Sequence, residues 1–195
     1  PIGIYASAGR SHEDIRWTGV TFAGANQGNF RGAPRLEEQD IDGVDAEVLF
    51  GSARMMSHFF SDPDPEFQLA GVQAYNNWLA EEIVKVDPSR LIGLAAIPAL
   101  DTKAAIAEME RCLKLGLKGA WINTFPSVGE KMTPEDDPFW DACEKNGVAV
   151  HIHVRVTRKV AKPKPKGKRG DDLTGLANVG AADAITDRPD MIGSG

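Results

Sequence analysis

His151 and His153 are the two side chains whose type and spacing most readily do chemistry in this sequence, standing one residue apart in the apolar run Gly147-Val148-Ala149-Val150-His151-Ile152-His153-Val154. In an extended strand, residues i and i+2 share a face, so both imidazoles point the same way. Two neutral imidazoles on one face can hold a divalent metal together, and imidazole suits zinc. A catalytic zinc normally takes three protein ligands, so spacing alone leaves two readings open: part of a metal site, or two hydrogen-bonded structural histidines. If the run is a buried parallel strand, it ends at the carboxyl edge of a sheet, where α/β folds gather their reacting groups.

The other chemistry-bearing residues are more scattered. Ala53 to Phe60 (Ala-Arg-Met-Met-Ser-His-Phe-Phe) reads as a connection just past a strand end, with Met55, Met56, Phe59 and Phe60 as apolar walls of a pocket and His58 as a polar member. A plain anchoring role for these groups is an equal alternative. His12, in Ser11-His12-Glu13-Asp14, reads as part of a helical cap, and Cys112 and Cys143 read as small core residues on apolar helix faces.

The elements that would position the histidines follow from pattern. Pro1 to Pro34 is irregular, with one short strand at Gly19 to Phe22. Leu36 to Asp40 suits the end of a helix, Asp42-Gly43 a turn, and Val44 to Phe50 a strand. Asp62-Pro63-Asp64-Pro65 opens a helix over Glu66 to Val86, and Leu91 to Pro98 lacks alternation, as a strand covered on both faces does. Asp101 or Thr102 caps a helix over Lys103 to Leu115, ended by Gly116. Leu117 to Asn123 is the next strand, Thr124 to Met132 a loop, and Thr133 to Asn146 a helix closed by Gly147. Strands alternating with helices in this way indicate a parallel sheet of right-handed βαβ crossovers, with four strands visible. After residues 35–157, residues 158–170 alternate lysine with proline and read as a mobile extended loop, and residues 171–195 as a helical segment of the same domain.

Composition narrows the class. The 195 residues fall short of the roughly 250 of a complete (β/α)8 barrel, and a formal net charge of -6 gives no general reason to expect nucleic acid. The basic stretch Arg158 to Arg169 reads as a solvated insertion, with a nucleic-acid contact as the alternative. No apolar stretch approaches the roughly 20 residues of a membrane span, and the amino terminus has no signal-peptide pattern, so the expected location is cytoplasmic.

Several blocks in order carry a resemblance: Arg35 to Phe50, Tyr75-Asn76-Asn77-Trp78-Leu79, Pro88-Ser89-Arg90-Leu91-Ile92-Gly93, Leu115-Gly116-Leu117-Lys118-Gly119, Asp137-Pro138-Phe139-Trp140 and Val150-His151-Ile152-His153. Over residues 35–154 the chain resembles the amidohydrolase-related family, in the branch of aminocarboxymuconate-semialdehyde decarboxylase and related metal-dependent decarboxylases and hydrolases. The resemblance implies an α/β fold of the (β/α)8 TIM-barrel type, here partial with about four βα units. It implies a divalent metal, zinc first, at the carboxyl end of the strands, with His153 as a metal ligand and His151 as its neighbour. The loops after Phe50 and Asn123 would contact a small carboxylated or cyclic substrate at the same rim. The metal would act as a Lewis acid and activate a water for hydrolysis, or orient substrate for decarboxylation.

The chain departs from the family's pattern in two places. The paired-histidine motif of the family's first strand is not found before Arg35, His12 alone not matching it, and the later catalytic histidine and metal-binding aspartate have no counterpart. The chain therefore reads as an interior piece covering roughly the second to fifth strands. A half barrel leaves strand edges unpaired, which predicts a homo-oligomer. The competing reading is a catalytically incompetent scaffold or partner domain of the same fold.

Overall fold

Each change from strand to helix is written in local chemistry. Asp64 precedes Pro65 and accepts hydrogen bonds from the N–H groups of Glu66 (2.9 Å) and Phe67 (3.4 Å), which starts a helix at the proline. Asp101 accepts from the N–H of Ala104 at 2.7 Å and starts another. Gly147 ends the last helix at φ +64°, a left-handed conformation that a residue without Cβ adopts freely.

The computed structural model of the chain describes residues 21–129 and 131–153 with Ser11 and Glu13, the side chains of residues 53–55 excepted. The Lys/Pro-rich stretch, the helical segment expected after it and His12 lie outside the described residues. Two 3-10 turns, Phe22–Gly24 and Gln27–Asn29, lead into α1 (Gly32–Asp42), β1 (Glu47–Leu49), α2 (Ala53–Phe60) and α3 (Pro65–Trp78). A π turn at Leu79–Ile83 and a 3-10 turn at Val84–Val86 prolong α3, followed by β2 (Leu91–Ala96), α4 (Thr102–Lys114) and β3 (Gly119–Ile122). The 3-10 turn Pro134–Asp136 then leads into α5 (Asp137–Asn146) and β4 (Ala149–Ile152).

The four strands form one sheet in the order β1-β2-β3-β4, every pair parallel. Helical crossovers between parallel neighbours are what the alternating sequence pattern requires. One face is packed by helices: Leu91, Ala95, Ala120 and Ile122 share a core with Leu79 and Ile83 after α3, Met109 and Cys112 of α4, and Phe139 and Cys143 of α5. The opposite face carries Leu94, Ala96 and Trp121, in a second cluster with Met56 and Phe60 of α2. The registers Ala96↔Trp121 and Trp121↔His151 put these side chains and the first histidine on the same face.

That second face is concave. In a flat sheet β1 and β4 would lie three strand spacings apart, about 14 Å. Yet the ring of Phe50, one residue past β1, stands 5.5 Å from the His151 ring and 5.3 Å from the His153 ring on the β4 side. The sheet therefore curls, as a segment of a barrel must. This is the partial (β/α)8 architecture expected from the sequence.

Two local expectations are corrected. Ala53 to Phe60 is a helix and not an irregular connection, because Met56 and Phe60, four residues apart, fall on one helical face and bury themselves at 2% and 8% exposure against Trp121. Phe22, the last residue of the strand expected over Gly19 to Phe22, opens a 3-10 turn, its carbonyl taken by the N–H of Ala25, while Gly19 and Val20 lie outside the described residues.

Polar groups tie the layers together. β1 pairs with β2 only as far as Leu49↔Gly93, which leaves the main chain of Ala96 without a strand neighbour on that side. Asn76 of α3 fills the gap: its Nδ2 donates to the Ala96 carbonyl (2.9 Å) and its Oδ1 accepts from the Ala96 N–H (2.8 Å). The same Nδ2 donates to Glu108 of α4 at 2.7 Å, and Arg111 donates to both oxygens of that carboxylate at 2.8 and 2.7 Å. Burial alone would raise the Glu108 pKa, but hydrogen bonds from Arg111 and Asn76 hold it below the ordinary carboxylate value. β1 is fastened likewise, through Glu47, which accepts from Arg35 and from Gln39.

Candidate functional site

The histidine strand sits at the edge of the concave face, and its last turn of ladder matters. Regular pairing ends at Ile122↔Ile152, but the N–H of His153 still donates to the Ile122 carbonyl at 2.9 Å. That bond carries the extended backbone one residue further and keeps His153 on the face of His151. Both rings accordingly meet the single ring of Phe50, at interplanar angles of 86° and 41°. His153 also meets Trp121, ring centroids 5.7 Å apart.

Trp121 is the floor of this site. It is fully buried, packed edge-to-face on Phe60 at 5.7 Å. It also presses on the backbone of Gly51, where an added Cβ would lie 2.7 Å from its Cζ2 atom. Only a residue without a side chain lets β1's exit pass so close.

Among the described residues, His153 Nδ1, Asn123 Oδ1 and Trp121 Nε1 are buried at this end of the sheet with no hydrogen-bond partner. Leaving such a group unpaired costs about 1–3 kcal/mol each, and a cluster of them calls for a polar ligand or ordered water. His153 Nδ1 is thus a lone pair or donor held in place beside an aromatic wall. A ring nitrogen without a protein partner is one that a metal or a polar ligand can take. Two imidazoles on one face fit a divalent ion as partial ligands. Among the described residues, no group of three or more His, Cys, Asp and Glu side chains converges, so a complete site needs a donor from outside them.

The other residues expected at the pocket are distributed. Met56 is buried against Trp121 and so lines the inner face. Asn123, 3% exposed, begins the loop after β3 beside His153. Phe59 turns toward α3, its ring 5.7 Å from that of Phe67 and hard against Gly71. His58 is exposed on α2, without a hydrogen bond or ring contact to the imidazole pair. Met55 lies on the same helix, its side chain outside the described part.

The loop after β3 is fixed from below. Asp136, fully buried at the start of α5, accepts from the N–H groups of Ser127 (2.7 Å) and Thr133 (2.9 Å). Burial would raise its pKa, but those N–H donors hold it low. Sequence reasoning placed Phe50 at the end of a strand and Trp121 inside one but gave neither a role in the site, since both act through contacts made across the sheet.

Comparison with known proteins bears on the family and the fold. The family model described as Amidohydrolase matches residues 24–190. The 2-amino-3-carboxymuconate-6-semialdehyde decarboxylase of Dictyostelium discoideum is 35% identical over 120 residues, which cover 61% of this chain and 32% of that protein. The crystal structure of a 2,6-dihydroxybenzoate decarboxylase in complex with 2,6-dihydroxybenzoate superposes with a TM-score of 0.52 at 32% identity, over 62% of this chain and 38% of the other. A dihydroxybenzoic acid decarboxylase from Polaromonas sp. JS666, solved with bound manganese and the inhibitor 2-nitroresorcinol, shares the fold at a TM-score of 0.54 and 23% identity, over 79% and 46% of the two chains. The chain spans about a third of the length of the curated relatives it matches. No helix among the described residues is long and apolar enough to cross a membrane. With a family match over most of its length and a curled parallel sheet of the same architecture, the chain belongs to the amidohydrolase family.

Proposed function

We propose that the intact protein is a metal-dependent, non-oxidative decarboxylase of a small carboxylated ring compound, and that this chain supplies one wall of its active site. The observation that carries the reading is the pair His151 and His153, on one face of their strand beside Phe50, with His153 Nδ1 buried and unpartnered. The relatives support the reaction type, since those matched over the same part of the chain are decarboxylases by name.

In this proposal His151 and His153 hold a divalent ion, zinc by the preference of imidazole, with the manganese of the Polaromonas neighbour as the alternative. The ion supplies Lewis-acid polarisation of a substrate oxygen. In this reading Asn123 binds and orients polar substrate atoms, a role its buried, unpartnered Oδ1 supports, and Met56 with Phe60 closes the apolar side and excludes water. We extend the pocket assignment to Met55, His58 and Phe59 of α2 as the segment leading into that wall. Decarboxylation breaks the bond between a ring carbon and its carboxylate; CO2 leaves, and a proton takes its place on the carbon.

Self-association of the intact protein is part of the same reading, testable by light scattering. The two free, buried thiols accord with a reducing, cytoplasmic setting. The experiment is turnover of 2,6-dihydroxybenzoate by the intact, metal-loaded protein, read as CO2 and 1,3-dihydroxybenzene. Product formation that His153→Ala abolishes supports the proposal. A protein that takes up no metal when it is supplied, and shows no turnover, favours the scaffold reading instead.

A further inference from the structure

We propose that Phe50 is a specificity-determining residue, the surface on which the flat, unsaturated part of the substrate lies while its polar end meets the histidine pair. The inference rests on the site reading given above and deepens it. Phe50 follows Leu49, whose partner is Gly93, so it stands level with Leu94 on the concave face. Its ring is within 5.5 Å of both imidazoles, yet neither is stacked flat on it, the interplanar angles being 86° and 41°.

Two other aromatic groups on this face are already used. Trp121 is fully buried under Phe60 and Gly51, and Phe60 is 8% exposed. Phe50 alone among them keeps 40% of its surface open, directly beside the two nitrogen donors. An open aromatic ring next to a polar pair recognises a molecule that is planar at one end and anionic at the other, since rings gain from offset or edge contacts beyond the area they bury. A saturated acid of the same size and charge satisfies the polar end and forfeits that gain.

The test compares binding of benzoate and cyclohexanecarboxylate to the intact, metal-loaded protein by calorimetry, with metal content measured in parallel. Wild type is expected to prefer benzoate by about tenfold, near the upper end of what an aromatic pair contributes. Phe50→Leu should lose the preference at unchanged metal content, and Phe50→Tyr should keep it. Equal binding of the two acids by wild type, or a preference that survives in Phe50→Leu, overturns the proposal. Loss of metal in Phe50→Leu also overturns it, because the ring would then serve only to pack the imidazoles. A preference for benzoate without any decarboxylation sinks the reaction assigned above and leaves the role of Phe50 standing, whereas binding of neither acid sinks both.

Discussion

Replacing Asn76 with alanine removes the side chain that stands in for a missing strand. Asn76 is fully buried and makes three hydrogen bonds, two to the main chain of Ala96 and one to Glu108. In Asn76→Ala the N–H and C=O of Ala96 lose their partners inside the core, at about 1–3 kcal/mol per orphaned group. Glu108 loses one donor but keeps Arg111 and Gln73. The expected loss is therefore about 3–5 kcal/mol, a large part of the roughly 5–15 kcal/mol that keeps a domain folded. Asn76→Asp sharpens the test: it retains an acceptor for the Ala96 N–H but sets a second carboxylate against Glu108. This variant should be destabilised most at neutral pH and should recover as acid protonates the pair. The assay is the denaturant midpoint of the intact protein at fixed m-value, for both variants, at neutral and mildly acid pH. A loss below about 1 kcal/mol in Asn76→Ala would refute the reasoning, because it would mean that water reaches Ala96 and that no side chain has to complete the strand.

Three further outcomes follow from the same core. The folded pKa of Glu108 lies below its unfolded value of about 4.3, so the carboxylate adds stability above that pH and loses it as pH falls through the folded value. Arg111→Gln leaves burial less opposed, and the acid-unfolding midpoint should move to higher pH; an unchanged midpoint in a pH titration followed by circular dichroism would exclude this. In Gly51→Ala the new Cβ would meet Trp121 at 2.7 Å and Tyr75 at 3.1 Å, so stability should fall by about 1–3 kcal/mol and tryptophan emission should shift. A variant with wild-type emission and melting would contradict the close approach. Burial pushes the Cys143 thiol up to about 11, and Cys112 higher still, so at pH 8 about one Cys143 in a thousand is thiolate. Both should resist alkylation until the protein unfolds, whereas rapid labelling of native protein would show that one of them is accessible.

The scaffold was readable because its signals are local. Asp64-Pro65, Asp101 and Gly147 mark helix ends by chemistry confined to a few residues, and the uninterrupted apolar run from Leu91 to Ile97 is what a strand covered on both faces carries. The histidine pair was readable for the same reason, since period two fixes its common face. Residues 53–60 were harder: eight residues carry little periodic signal, and the pairing of Met56 with Phe60 has meaning only once Trp121 is beneath them. Asn76 and Glu108 are 32 residues apart, and the gap they fill exists because β1 is shorter than β2, which no local pattern records. Phe50 and Trp121 owe their places in the site to the curl of the sheet, a property of all four strands together.

The most direct measurement is metal content, by elemental mass spectrometry, of the intact protein and of its His151→Ala and His153→Ala variants after exhaustive dialysis. About one tightly held divalent ion per wild-type chain is expected, lost in His153→Ala and weakened in His151→Ala, since a catalytic site of this kind holds one ion through nitrogen donors. A wild-type protein that retains no ion, or a His153→Ala variant that retains it fully, would contradict the assignment of this strand to a metal site.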